Sequence, residues 1–535
     1  MQENSLFRSV DDEPSARRLL VSQGHLNHAH MIDGFLKSKL EMAYDAISSV
    51  NERAYRDPYL LSNLVLSKNP FGNNFLINLF SNKAVRRLSP LILFKRLAKY
   101  YAGSLFHYVL YVLKFAVFCL ENKERAEAVP GDRLTVVDTY FLVDRIVQAK
   151  RYSELYFPGL DEVLKTRGGK YVYLPVFDGS SSISVFRSLV RIINRQGVPL
   201  LCEYQLLSFT DLLRLLSFII LYPWRVLVLA GSVSDGTNAS RLLKHELLDT
   251  LDQVTFHNYC RLLQGKRIAE LPCRSIKLIS WYENQAMDKN LYKGIRMRGN
   301  DIKIYGAQLF LHSEVSLNVP ADEKEKEFDV IPDRIIVNGP AFMEERSSLD
   351  YRVGPSLRYG ELFKVSVDPE KQTEILVLLP YSLEISRLIL KVVRDAGMKS
   401  TPFVVKMHPT RNLDELGDLI GENWFVRDDN IYGQFKRTRM VIGSSSGSLV
   451  EAAAVGIPVI QVKTTGVLDF AMLPELGKGI IWEEVSNGPE LRSVAGSFDR
   501  RLKEDLRGIR EVASRYKKMF FCEPTNERII EAFDL

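Results

Sequence analysis

The chain is poor in the residues that hold small or metal-built folds together. Only five of its 535 residues are cysteine: Cys119, Cys202, Cys260, Cys273 and Cys522. They are scattered, none forms a CxxC pair, and most sit in apolar surroundings. That excludes a disulfide framework and a cysteine-ligated zinc site, and it predicts buried thiols in a reducing compartment. Histidine is scarce as well. His25, His28 and His30 lie close together, but no cysteine or carboxylate completes a metal set, so they read as a solvated helix face. There is no block of Lys/Arg like a nucleic-acid arm and no nucleic-acid module, and a net charge of +6 is thin over so large a surface. The opening MQENSLFRSVDDEPSARR has no apolar h-region, which predicts no secretory signal and a cytoplasmic protein.

Long uninterrupted apolar runs are also lacking. SLFHYVLYVLKFAVFCL at 104–120 is shorter than the ~20 residues that span a bilayer, and Lys114 interrupts it. LLRLLSFIILYPWRVLVLA at 212–230 is broken by Arg214, Pro223 and Arg225. Each reads first as a buried core helix. The alternative is a helix lying in the membrane interface, with basic residues at anionic headgroups and Trp224 or Tyr222 at the boundary. Peripheral contact with the cytoplasmic face of the inner membrane is the most this pattern allows.

What is present is a large α/β protein. The length calls for two or three domains. Residues 1–130 look mainly helical, with helical spacing from His25 to about Val50 and breaks at Pro58, Pro70 and Pro90. From 131 the pattern alternates. Strands are predicted at 134–142, 170–178, 199–204, 276–283, 301–308 and 333–339, with helices over 182–195, 208–220, 240–264 and 285–298. A second unit has strands at 374–380, 402–409, 424–427, 440–444, 458–462 and 479–482. Its helices fall at 382–396, 412–420, 429–437, 446–455 and 488–520. Repeated alternation predicts two doubly wound parallel sheets. The segment GPSLRYGELF supplies Gly and Pro for a linker, and NERIIEAFDL can pack back across the junction. The division is a helical N-terminal extension (1–130), an N-terminal Rossmann-like domain (131–355) and a C-terminal one (356–535).

The most informative stretch is MVIGSSSGSLVEAAAVGIPVIQV at 440–462. A buried strand empties into Gly443, Ser444, Ser445, Ser446 and Gly447, and a helix follows until Gly456 and Pro458 end it. Strand, small-residue loop and helix N-terminus make an anion site from free backbone N–H groups, hydroxyls and the helix dipole. Glu451, five residues beyond Ser446, can accept from a ribose diol, and its apolar neighbours argue against a plain solvent face. An earlier strand, PFVVKMHPT, delivers Lys406, His408 and Pro409 to the same sheet edge. A Lys there can neutralise a phosphate, and a His can donate to one or hold a general-acid proton. Pro409 fixes the turn that aims them. In the first unit, Asp138, Asp178 and Glu283 sit on or at the ends of predicted strands as candidate bases or nucleophiles. Asp178 is also placed to cap the helix after it. Glu283 ranks first because Trp281, Tyr282, Asn284 and Gln285 give it a setting suited to a sugar, and Gln308 and His312 can face the same cleft.

Two α/β units, a KxHP strand end and an SSxGSxxEAAxxGxPVI loop–helix–strand together resemble the GT-B glycosyltransferases. They are most similar to bacterial surface-polysaccharide enzymes of the capsule, O-antigen, sialyl- and Kdo-transferase types, which share an HP motif and a downstream serine pair. WYENQ and VGPSLRYG look like segments of the same proteins. The resemblance implies a nucleotide-sugar donor on the C-terminal unit, with His408 and Ser444–Ser446 at the phosphate and Glu451 at the ribose. It implies a glycan or glycolipid acceptor on the N-terminal unit, and it tilts the donor toward a CMP-activated acidic sugar such as Kdo or a sialic acid. Glu283 or Asp178 would activate the acceptor hydroxyl or attack the anomeric carbon. The acidic motif of the sialyltransferases is matched only in part, by Asp178–Gly179, which leaves inversion or retention open. No cofactor is implied, and no metal-binding DxD stands out. A CDP-glycerol or ribitol phosphotransferase, a UDP-sugar 2-epimerase and a non-catalytic scaffold remain alternatives on the same architecture.

Overall fold

The computed structural model describes residues 34–535 apart from short stretches: 71, 84–88, 123–132, 181, 234–235, 300, 314, 345–346, 369–370, 399–400, 409–410, 412–414, 417–418, 422–423, 428, 465–467 and 469. Pro409, and most of the helix expected over 412–420, therefore lie outside the described residues.

Among the described residues, twelve strands form two parallel six-stranded sheets. The first holds β1 (Arg133–Leu142), β2 (Lys170–Asp178), β3 (Ser275–Trp281), β4 (Lys303–Gln308), β5 (Arg334–Val337) and β6 (Tyr351–Val353), in the order β2-β1-β3-β4-β5-β6. The second holds β7 (Glu374–Leu378), β8 (Phe403–Lys406), β9 (Trp424–Val426), β10 (Thr438–Gly443), β11 (Val459–Val462) and β12 (Trp482–Val485), in the order β12-β11-β10-β7-β8-β9. Both are doubly wound, the two-unit α/β architecture expected from the sequence. The winding reverses between β1 and β3 in one sheet and between β7 and β10 in the other. Loops leaving such a strand pair diverge to opposite faces and open a crevice at the carboxyl edge, where α/β proteins bind ligands.

Five expectations of secondary structure are corrected. The helices expected over 240–264 and 488–520 are each two, Asn238–Asp249 with Val254–Ile268 and Gly488–Glu504 with Leu506–Phe520. The stretch 199–204 does not form a strand: Leu200 makes one isolated bridge to Tyr173, and Glu203–Leu206 turns into a short helix. The strand expected at 479–482 begins at Trp482, because Gly477 and Gly479, both at positive φ, first carry the chain round a turn. The helix expected to stop at 220 runs from Phe209 to Ser232 with Pro223 inside it. Strand β6 is an unforeseen edge strand, too short to show a period.

The described helices of the first 121 residues, Gly34–Arg56, Phe75–Phe80 and Pro90–Glu121, share one core with the first sheet. The final helix, Asn526–Phe533, leaves the second unit and returns to the first. Its Phe533 is fully buried. Asp534, just beyond it, pairs with Lys303 and Arg334 and accepts from the Tyr305 hydroxyl at 2.7 Å. The two crossings between units are pinned to each other. Ser356 N–H donates to the Cys522 carbonyl at 2.8 Å, and Cys522 N–H donates to Ser356 Oγ at 2.9 Å.

The helix that follows β3, Ala286–Arg296, is held by an unusually close crossing with Val254–Ile268. A Cβ at Gly294 would stand 2.1 Å from the Leu262 carbonyl oxygen, and one at Gly265 would stand 2.2 Å from that of Leu291. Only glycine permits this approach. Gly294→Ala is expected to cost about 3 kcal/mol by forcing the helices apart, read as a lower midpoint in denaturant unfolding. An unchanged midpoint would show that the pair has room to spare.

Candidate active site

The serine loop stands at the carboxyl end of β10, at the switch point of the second sheet. Val377 of β7 is level with Ile442 of β10, and Leu378 is level with Lys406 of β8. The loops after β8 and β10 therefore leave the same edge on either side of β7, roughly 10 Å apart at a strand spacing of ~4.8 Å. Ser444 is fully buried, and its Oγ has no hydrogen-bond partner among the described residues. An orphaned buried hydroxyl is costly unless something fills its place. Ser445 holds φ at +50°, a left-handed turn that a non-glycine residue adopts at a cost, and its Oγ accepts from Phe470 N–H at 3.3 Å. Ser446 caps the helix Gly447–Ala454, accepting from Ser448 N–H at 3.3 Å. The loop faces the other unit: a Cβ at Gly447 would lie 3.2 Å from the Leu311 side chain, which comes from the loop after β4.

Glu451 lies one turn into this helix and is buried. It accepts from Tyr432 Oη at 2.6 Å and from Ser448 Oγ at 3.2 Å. Burial pushes its carboxyl up, against those two hydrogen bonds and the charge of Arg358. Lys406 reaches the same edge, but its ammonium donates to the Asp429 carbonyl at 2.9 Å, a partner with no mark in the sequence. His408 packs edge-on against Tyr381 at 5.7 Å, and the Arg411 guanidinium lies 4.2 Å over that ring. Burial, then Arg411, lowers the His408 pKa. The imidazole is thereby weighted to its neutral form at pH 7, as a hydrogen-bond donor more than a stored acid.

In the first unit, β3 delivers Glu283 at its carboxyl end. Its Oε1 accepts from Trp281 Nε1 at 2.8 Å and its Oε2 from Gln285 Nε2 at 2.5 Å. Its backbone is fixed from both sides. Glu283 N–H donates to Asp288 Oδ2 at 3.1 Å, and Asn318 Nδ2 donates to the Glu283 carbonyl at 2.6 Å. Asn284 then turns the chain at φ +54° into the next helix. Burial pushes Asp288, beneath this turn, up to about 7.

Asp178 ends β2 and is exposed. It does not cap the helix after it. Ser182 occupies that position, and the intervening turn is held by Asp144, which accepts from Ser180 N–H at 3.0 Å. Asp138 is mid-strand and buried. It pairs with Arg261 at 2.5 Å and accepts from Ser280 Oγ at 2.7 Å, so it serves the core and not the cleft. Gln308 is likewise buried, donating to the Val319 carbonyl at 2.6 Å. His312 packs on Phe342 at 4.7 Å.

The residue missed from sequence is Arg358, on the linker between the units. Its guanidinium lies 5.2 Å from the Tyr156 ring and 5.2 Å from the Trp281 ring. It makes no ion pair with any described residue. Burial raises the Tyr156 pKa, Arg358 opposes that, and Glu283 and Asp178 reinforce it. Both candidate carboxylates thus bear on one aromatic platform. The charge of Arg358 also acts on Glu451, Tyr432 and Tyr359 on the other side. The linker read as Gly and Pro with one arginine, and nothing in that spacing gave the arginine its place. No trio of His, Cys, Asp or Glu among the described residues is grouped to hold a metal ion.

No family model and no curated protein matches the chain. Solved structures similar to it include the S. aureus MnaA–UDP co-structure (10% identity, 75% of this chain and 95% of that one, TM-score 0.43). Others are Acinetobacter baumannii MurG (9%, 76% and 99%, 0.40) and the glycosyltransferase SnogD from Streptomyces nogalater (13%, 75% and 98%, 0.37). At such identities the chemistry has to be read from this chain's own side chains.

Proposed function

We propose that this protein transfers a glycosyl group from a nucleotide-activated sugar to a glycan or glycolipid of the bacterial surface. The observation that carries the reading is the orphaned Ser444 hydroxyl beside a capped helix N-terminus at a sheet switch point. In the proposed reaction the acceptor hydroxyl loses its proton to Glu283 as its oxygen bonds to the anomeric carbon. The bond from that carbon to the donor phosphate breaks, and the phosphate keeps the electron pair. Ser444, Ser445, Ser446 and the amides behind them hold the departing phosphate, with His408 as a neutral donor at the rim and no metal ion or resident cofactor. Glu451 faces the ribose. Asp178 is the second candidate base.

The favoured donor is a CMP-activated acidic sugar such as Kdo or a sialic acid. Such a donor carries one phosphate and one carboxylate. The serine loop suits the first, and the unpaired Arg358 suits the second through a bidentate contact. The acceptor belongs to capsule or lipopolysaccharide assembly at the inner membrane.

A panel of CMP-, CDP- and UDP-linked donors, followed by nucleotide release with and without acceptor, tests this. Acceptor-dependent release of CMP from a CMP-sugar is expected. Arg358→Met is expected to raise KM for an acidic donor at least tenfold while leaving CMP affinity within a factor of about two, one bidentate charge pair being worth ~1.5–3 kcal/mol. Turnover of a UDP-sugar without acceptor would identify an epimerase. Release of CMP from a CDP-alditol would identify a phosphotransferase. No release from any donor would leave a scaffold that binds without catalysis.

A further inference from the structure

The helices Pro90–Glu121 and Phe209–Ser232 run antiparallel: Tyr101 Oη donates to the Ile220 carbonyl at 3.1 Å and Tyr108 Oη to that of Leu212 at 3.3 Å. At ~1.5 Å per residue they make a plate some 35–50 Å long. Its inner face is core, with Leu215, Phe218, Tyr222 and Val226 fully buried. Its outer face is apolar and uncovered. On the first helix Leu105, Val109 and Leu113 repeat at four-residue spacing beside Phe106, all 44–60% exposed. On the second, Ile220, Trp224 and Val228 do the same at 51–75%. The apolar segment 104–120 is therefore not the buried core helix expected from sequence: it gives the core one narrow face, with Tyr111 and Phe118, and leaves the rest uncovered.

The rim of this plate is positive. Lys95 and Lys99 are exposed and make no ion pair with any described residue. Arg214 and Arg225 also keep more than half their side chains in solvent, but each is paired, with Asp211 at 2.8 Å and Asp57 at 3.2 Å, so the unpaired charge is that of the two lysines. The acids that pair with these two helices are already committed: Asp211 to Arg267 and Arg214, Asp57 to Arg225, Asp249 to Arg96, and Glu121 to Arg187 and Arg191 on the helix Ile183–Gln196. A second copy of the chain would set this positive rim against itself. An anionic lipid surface complements both the charge and the apolar stripe.

We propose that this helix pair is a monotopic docking plate that lies in the headgroup region of an anionic leaflet without crossing it. Spanning is excluded by the packing, since one face of the second helix is the core of the first unit. The plate sinks its outer side chains ~5–10 Å, with Trp224 at the boundary. Its end at Glu121 is tied to the helix after β2 through Arg187 and Arg191. The inference does not depend on the transferase reading.

Flotation of the full chain with vesicles tests it, using phosphatidylcholine alone and phosphatidylcholine mixed with phosphatidylglycerol. Binding at least tenfold stronger to the anionic mixture is expected. Lys95→Glu with Lys99→Glu is expected to remove that preference. Val109→Glu with Trp224→Glu, at positions already exposed and so compatible with folding, is expected to abolish binding to either vesicle. Lipids brominated near the headgroup are expected to quench the Trp224 signal, identified by difference from Trp224→Phe, and lipids brominated near the chain end to leave it. Quenching from the chain end alone would mean insertion across the bilayer and overturn the proposal. So would failure to float with either vesicle, or a lipid-free dimer that the two Glu substitutions break, which would make the face a contact between copies.

Discussion

Glu283→Gln is expected to reduce glycosyl transfer by about 10²–10⁴-fold, the range for losing a positioned general base, with donor-nucleotide affinity within a factor of about two of wild type. The amide keeps the shape of the carboxylate and still accepts from Trp281 Nε1, so the loop keeps its posture while the proton acceptor is lost. The effect is expected on kcat because the proposed nucleotide site lies on the other unit. Transfer rates and nucleotide titrations on the same preparation measure the split. Should Glu283→Gln retain activity within a few-fold while Asp178→Asn loses it, the base is Asp178, and the aromatic platform serves to bind the acceptor.

The second large effect concerns stability. Glu325 is 1% exposed and faces two buried ammonium groups, Lys289 at 2.9 Å and Lys68 at 3.4 Å. It also accepts from Tyr55 Oη at 2.9 Å and from Asn284 Nδ2 at 3.0 Å. One carboxylate thus ties the N-terminal helix Gly34–Arg56 to the left-handed residue next to Glu283. Removing one member of a buried ionic group leaves uncompensated charge, so Glu325→Gln is expected to cost about 3–5 kcal/mol in denaturant unfolding and to lower transfer through the loosened turn. The pH dependence has a definite sign. Burial raises the Glu325 pKa, but Lys289 and Lys68 outweigh it and hold the carboxyl well below the ordinary range. Its contribution is complete above the unfolded value of ~4.3 and drains as pH falls through the depressed folded value. Wild type is expected to lose stability steeply below about pH 4, and Glu325→Gln to show a flatter acid limb. Equal acid limbs would place the acid sensitivity elsewhere.

Much of the second unit could be read directly. β10, the serine loop, its helix and β11 follow from β-branched runs punctuated by Gly443, Gly456 and Pro458, because buried parallel strands and cap residues write themselves locally. Glu283 was legible for the same reason: a strand end followed by a polar turn. Partners far apart in sequence were not. Asp138 looked like a strand-end acid until Arg261 appeared beside it, and nothing in spacing reveals a partner 123 residues away. Lys406 turned out to rest on a backbone carbonyl. Pro223 promised a helix end, yet packing of Phe218, Tyr222 and Val226 carries the helix through it. Arg358 gained its place only against Tyr156 and Trp281, aromatic rings far from it in sequence.

The account stands on a donor phosphate seated at the head of the helix Gly447–Ala454. A crystal structure of the full chain grown with CMP tests this most directly. The account predicts phosphate oxygens within hydrogen-bond distance of Ser444 Oγ and the N–H groups of the capped helix, with the ribose toward Glu451. A nucleotide bound elsewhere, with Ser444 still unpartnered, would contradict it.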